Sequence, residues 1–235
     1  MNTEKARLDK MLQEQKISQE DYAILATALK RKTIFNKIHS TFLLNPFQKI
    51  AGIKALFLGV ITLILISFFG VVAKVYYLSP MSTINALALA KQAITHPFLF
   101  LLYQNVVCWL VLALSLLLAA KILQRKTVRV IDFLGTVAFA RVPTLIATVY
   151  LAVLRVAYPS ILYIDYSKGM QLHFSLAQYL FTAPVIILAI WQAMLYFYAY
   201  KESSGLTGKK GIFSFITALV IAECISAPLT TWFMN

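Results

Sequence analysis

Five stretches of this chain leave it very few ways to fold. Ile53–Tyr77, Phe98–Ala120, Ile131–Arg155, Phe174–Ala199 and Ile212–Phe233 are almost wholly apolar. Each has about the twenty residues that a helix needs to cross a hydrocarbon core about 30 Å thick. Backbone groups find no partners in lipid, so these runs are expected to be helices. The expected fold class is therefore all-α, a polytopic membrane protein with five transmembrane helices. Composition agrees. Of the 235 residues 60% are hydrophobic and 13% charged, against about 25% charged in soluble domains.

The charged residues that remain set an orientation. Lys and Arg crowd the segment before the first run (Lys5, Arg7, Lys10, Lys16, Lys30, Arg31, Lys32, Lys37, Lys49), the loop after the second (Lys121, Arg125, Lys126, Arg129) and the loop after the fourth (Lys201, Lys209, Lys210). The alternate loops carry Lys91 with Lys74 at the edge, and Lys168 with Arg155 at the edge. The positive-inside rule then places the N-terminus in the cytoplasm and the C-terminus on the far side. The formal net charge of +13 is explained by these loops and by anionic lipid headgroups, with Arg125, Lys126, Arg129, Lys209 and Lys210 as the residues facing them. No aromatic-interleaved basic platform suggests nucleic acid.

Residues 1–36 are expected to form a cytoplasmic helical hairpin. Leu8, Met11 and Leu12 give its first helix an apolar face. Ser18 suits the N-cap of the second, with Glu20 and Asp21 in the first turn. The segment either caps the cytoplasmic face or docks a protein partner or the membrane surface. Residues 37–52, with "STFLLNPFQKI", are too short to cross and suit the interface. Residues 53–234 hold the five spans.

One residue resists the apolar pattern. Arg141 stands near the middle of the third run, two residues before Pro143. A mid-membrane arginine costs about 2.5–3.5 kcal/mol on insertion scales and normally has a partner. Depth nominates one. Arg141 is about 15 Å in from the cytoplasmic edge of its span at 1.5 Å per residue, and Glu223 lies at nearly the same depth in the fifth span. An interhelical Arg141–Glu223 pair is the expectation, either fixing how spans three and five pack or forming a polar site for a headgroup, proton or small substrate. Gln104, Asn105 and Gln178 are expected to hydrogen-bond between helices. Pro143, Pro184 and Pro228 are expected to kink spans three, four and five.

Catalytic motifs are missing from the sequence. "SSGLTGKKG" has Ser203 and Lys210 where a phosphate-binding loop needs Gly and Ser or Thr. Cys108 and Cys224 are unpaired in spacing, and His39, His96 and His173 are scattered. No enzyme activity, cofactor or metal site is expected.

Three stretches resemble the Yip family of five-span membrane proteins, partners of Ypt/Rab GTPases, and especially its bacterial branch. "LLNPFQKI", with Asn45 and Pro46, is similar to the family's entry to the first span. "AFARVP", Ala138 to Pro143, resembles its third-span motif, with Ala138 in place of a glycine and Phe139 in place of a tyrosine. "IWQAMLYFYAYKESSGLTGKKGIF", with Glu202, Gly205 and Lys209, resembles the end of its fourth span. The likeness covers residues 43–234. It implies a membrane scaffold or accessory subunit of a trafficking or export system, in a bacterial cytoplasmic (inner) membrane. The replacement of the motif's glycine implies that its close packing is absent. The competing expectation is a transporter or lipid-handling protein with Arg141 and Glu223 lining a polar site.

Overall fold

The computed structural model describes residues 43–81, 96–123, 128–158 and 176–232, together with residues 11, 13, 14, 18, 21 and 22; of the side chains at 176–179 nothing is described. The chain divides into two compact units, Met1–Pro46 and Phe47–Asn235. The boundary falls inside the stretch 37–52.

In the first unit the expected N-cap is present. The Asp21 backbone N–H donates to Ser18 Oγ at 3.0 Å, and the Ser18 hydroxyl donates to Asp21 Oδ2 at 2.7 Å. The Ser18 hydroxyl thus satisfies one free N–H of the first turn and holds the Asp21 carboxylate beside it. Met11, expected on the apolar face of the first helix, is exposed; Leu8, Leu12 and Glu20 lie outside the described residues.

The described residues of the second unit form six helices: α1 (Gly52–Ala73), α2 (Pro97–Leu123), α3 (Val130–Phe139), α4 (Val142–Ala157), α5 (Leu176–Ser204) and α6 (Gly208–Thr231). The described residues contain no strand. Helices α3 and α4 together make one span, so five helical segments are long and apolar enough to cross a membrane. Their outer faces carry large apolar side chains such as Phe57, Ile122, Val156, Ile187 and Phe213. In water this would be an aggregation hazard; in a bilayer it is the lipid-facing surface.

Span one packs along span three and against span two; span two packs against span five, and span three against span four. Lipid is as apolar as leucine, so close backbone approach and polar contacts must hold such a bundle together. Glycine provides the approach. A Cβ on Gly59 would lie 2.3 Å from the Ala138 Cβ, and one on Gly135 would lie 2.6 Å from the Gly52 carbonyl oxygen. Helices α1 and α3 therefore touch backbone to backbone at two levels. This corrects the expectation that the alanine at 138 abolishes close packing: the glycine stands across the interface, at Gly59.

Polar bridges add to this. Trp109 Nε1–H donates to the Leu134 carbonyl at 2.9 Å, joining spans two and three. The Thr136 and Ser203 hydroxyls lie 3.0 Å apart, joining spans three and four. Spans four and five meet through Phe197, Tyr200, Ser214 and Phe215, close to the turn between them. Elsewhere they share little surface.

Two features depart from five straight rods. Span three breaks at Ala140–Arg141. Pro143 has no N–H to offer the Phe139 carbonyl, and its ring disfavours continued helix before it. Pro184 and Pro228, by contrast, sit inside unbroken helices. Span one also ends early, at Ala73 rather than at Tyr77. Lys74 adopts left-handed backbone (φ 53°). Its N–H reaches the Val71 carbonyl at 3.3 Å, and the Val75 N–H reaches Gly70 at 3.0 Å. These two bonds form a Schellman cap, unusual in using lysine where glycine is preferred.

Candidate functional site: a polar centre around an inward-folded segment

After the cap at Lys74 the chain turns into the bundle instead of leaving it. Val75, Tyr77, Ser79 and Pro80 are buried. Non-helical backbone inside a membrane protein must find its hydrogen bonds in the protein itself. Side chains of spans two, four and five provide them, and span three holds the Tyr77 side chain. The Tyr77 N–H donates to Gln104 Oε1 of span two at 3.0 Å. The Tyr77 carbonyl accepts a weak bond from the Cys108 thiol at 3.9 Å. The Tyr77 phenol bonds to Thr148 of span three. Thr148 already gives its proton to the Thr144 carbonyl, so the phenol is the donor. From span four, Gln192 Nε2 donates to the Pro80 carbonyl at 3.0 Å, and the Tyr196 hydroxyl approaches the same oxygen at 3.5 Å. From span five, Thr230 Oγ1 donates to the Leu78 carbonyl at 2.7 Å, and Glu223 Oε1 accepts from the Met81 N–H at 2.9 Å.

Cys108 lies eleven residues beyond Pro97, at the start of a 27-residue helix, or about 16 Å along it. The segment thus reaches well into the bundle. It also fills the seam where spans four and five have little direct contact, because Gln192 and Tyr196 hold it from one side and Glu223 and Thr230 from the other.

Arg141 sits beside this segment, 1% exposed. Its Nη1 donates to the Asn105 carbonyl at 2.9 Å and its Nη2 to Asn105 Oδ1 at 2.8 Å. Asn105 in turn donates from Nδ2 to Ser67 Oγ of span one (3.1 Å) and to the Leu101 carbonyl (3.0 Å). One asparagine therefore ties spans one, two and three at one point. The guanidinium carbon lies 5.9 Å from the Tyr77 ring centre, within cation–π range. The break in span three aids this placement, since Arg141 stands at the start of α4 and is free of regular helical backbone.

The expected Arg141–Glu223 pair is not a contact. Arg141 is bonded to Asn105, and the half-buried Glu223 carboxylate is bonded to the Met81 backbone. Both residues lie near enough to Tyr196 and Cys108 to act on them electrostatically. Equal distance along two spans says nothing about the direction in which each helix turns its side chain. The expectation for Gln104 and Asn105 holds for Asn105, which bridges helices; Gln104 binds the folded-in backbone instead. The Gln178 side chain lies outside the described residues.

Residues that carry the family resemblance fall elsewhere. Asn45 is buried and Pro46 opens a 3-10 turn, Pro46–Gln48. Pro143 is buried at the start of α4. Gly205 has φ 69° and its N–H caps span four on the Lys201 carbonyl at 2.7 Å. Glu202 and Lys209 are exposed. Of the basic residues expected to face headgroups, Arg129, Lys209 and Lys210 are exposed, and Arg125 and Lys126 lie outside the described residues. Sequence reasoning missed Tyr77, Thr148, Gln192, Tyr196 and Thr230. The Ser79-Pro80 pair was the available sign that the chain turns there.

All of this defines a class: a helical integral membrane protein with five spans and a bonded polar interior. Comparison with known protein families, with curated proteins and with solved structures finds no match.

Proposed function

We propose that the chain is a non-enzymatic membrane scaffold or accessory subunit of Yip type, serving a trafficking or export system in a bacterial cytoplasmic membrane. The observation that carries this reading is the enclosure of Arg141 and the bonding of the surrounding side chains within the chain. Arg141 is almost fully enclosed, and Gln192, Tyr196, Glu223 and Thr230 all bond to the chain's own backbone. A substrate path needs polar groups facing water or cargo; here they serve to hold the bundle together. The exposed Arg129, Lys209 and Lys210 suit anionic headgroups. Lys209 and Lys210 stand in the first turn of α6, where the helix dipole disfavours cations, and an anionic surface offsets that cost. Residues 1–36 are the docking module for a protein partner in this reading.

The test is purification of the full chain in native lipid discs, followed by mass spectrometry of what accompanies it. A stoichiometric protein lost on deleting residues 1–32 supports the scaffold. The second reading, a transporter or lipid-handling protein, is favoured by the break of span three beside a buried arginine, since discontinuous helices often line transport sites. A single enriched lipid that is lost in Arg141→Ala decides for it.

A further inference from the structure

The Arg141 guanidinium has five N–H donors, and among the described residues its hydrogen bonds are those from Nη1 and Nη2 to Asn105. Nε is buried and has no partner. Neither acceptor is charged, and Glu223 is committed to Met81. A positive charge is therefore enclosed with no anion in contact among the described residues, an arrangement that low dielectric penalises heavily. A second donor is orphaned nearby. Gln104, 0% exposed, spends its Oε1 on the Tyr77 N–H, and its Nε2 has no partner. Gln104 precedes Asn105 on α2, and both its amide and the guanidinium lie against Tyr77. The third element is the break in span three, which puts the positive end of α4 at Arg141.

Two orphan donors, a cation whose hydrogen-bond acceptors are neutral and a helix N-terminus call for the same thing, a negatively charged acceptor. We infer that this centre binds a small monovalent anion of halide size, held by Arg141 Nε with Gln104 Nε2. The near-complete enclosure of both side chains excludes a bulky ligand. A phosphate headgroup still attached to its lipid tails needs an opening that such enclosure does not leave. The anion is a structural ligand that completes the junction of spans one, two and three. This goes beyond the scaffold reading and does not depend on it.

Gln104→Glu tests the assignment with minimal disturbance. The glutamate keeps an oxygen for the Tyr77 N–H, loses only a donor that has no partner, and brings its own negative charge. Asn105→Asp is a poorer choice, because Nδ2 has two acceptors to lose. The measurement is the Tm of the full-length protein in lipid nanodiscs across a chloride series, with gluconate holding ionic strength constant. The wild type is expected to gain about 5 °C or more at saturating chloride. Gln104→Glu is expected to lose that gain and to melt in gluconate no lower than the wild type. A wild-type Tm indifferent to chloride, or a chloride gain that persists in Gln104→Glu, overturns the assignment. Should the variant fail to fold, radiolabelled chloride on wild-type nanodiscs decides: one equivalent retained supports the site, and none overturns it.

Discussion

At the scale of single residues, the question is why an arginine stays inside the membrane. The bonds to Asn105 answer it, because they turn a costly charge into the knot of three spans. A double-mutant cycle separates this from the pairing that depth alone suggests. Asn105→Leu with Arg141→Met is expected to show about 1.5–3 kcal/mol of coupling, the range for hydrogen bonds to a charged group. Arg141→Met with Glu223→Gln is expected to show less than about 1 kcal/mol. Reversible unfolding in mixed micelles gives both values, and a larger coupling in the second cycle would restore the ion pair. Glu223 itself is needed as an acceptor more than as a charge. Glu223→Gln keeps an oxygen for the Met81 N–H and should cost under about 1 kcal/mol, whereas Glu223→Leu orphans that donor and should cost about 1–3 kcal/mol. Equal losses in the two variants would mean that the charge matters and the backbone bond does not.

At the scale of elements, the α1–α3 contact and the cap of span one make separate predictions. Gly59→Ala forces a methyl into a space already filled by Ala138 and is expected to cost about 1–3 kcal/mol or more, visible as a lower Tm and lower yield in membranes. Ala138→Gly, which restores the resembled motif, should relieve part of that loss when combined with it; no rescue would place the clash elsewhere. Lys74→Gly removes the penalty of a left-handed lysine and should stabilise by about 1 kcal/mol. These elements also show what a sequence can disclose. The five spans were readable because hydropathy records depth, and an irregularity at Pro143 was readable because proline removes a backbone donor, although Pro184 and Pro228 give the same sign inside unbroken helices. The early end of span one was not. Val75, Tyr76 and Tyr77 suit the end of a membrane helix, and no glycine stands at the turn. The partners of Arg141 and Glu223 were hidden for a related reason: hydropathy gives position along the membrane normal and is silent about rotation around it.

At the scale of the whole molecule, the bundle closes around a piece of its own chain. Spans four and five are bridged over part of their length by residues 78–81 rather than by direct packing. If that segment is as enclosed as its burial indicates, water-soluble thiol reagents should modify Lys74→Cys readily and Ser79→Cys slowly, in a background with Cys108 and Cys224 replaced. Comparable rates would mean that the segment opens to water. The same labelling, applied on either side of the membrane at Lys209→Cys and His96→Cys, tests the orientation set by the basic loops, with the former expected on the cytoplasmic side.

The inward-folded segment also has a consequence for how the protein is made. A ribosome delivers span one and the residues after it long before spans four and five. During that interval the Leu78 and Pro80 carbonyls and the Met81 N–H have none of the partners that the finished protein gives them, for Gln192, Tyr196, Glu223 and Thr230 are still to be synthesised. The nascent chain must therefore keep this stretch outside the lipid, in water or within the insertion machinery, and draw it in last. A chain that stops after span three carries a loop it has no means of burying, and membrane quality control is expected to recognise it by that loop.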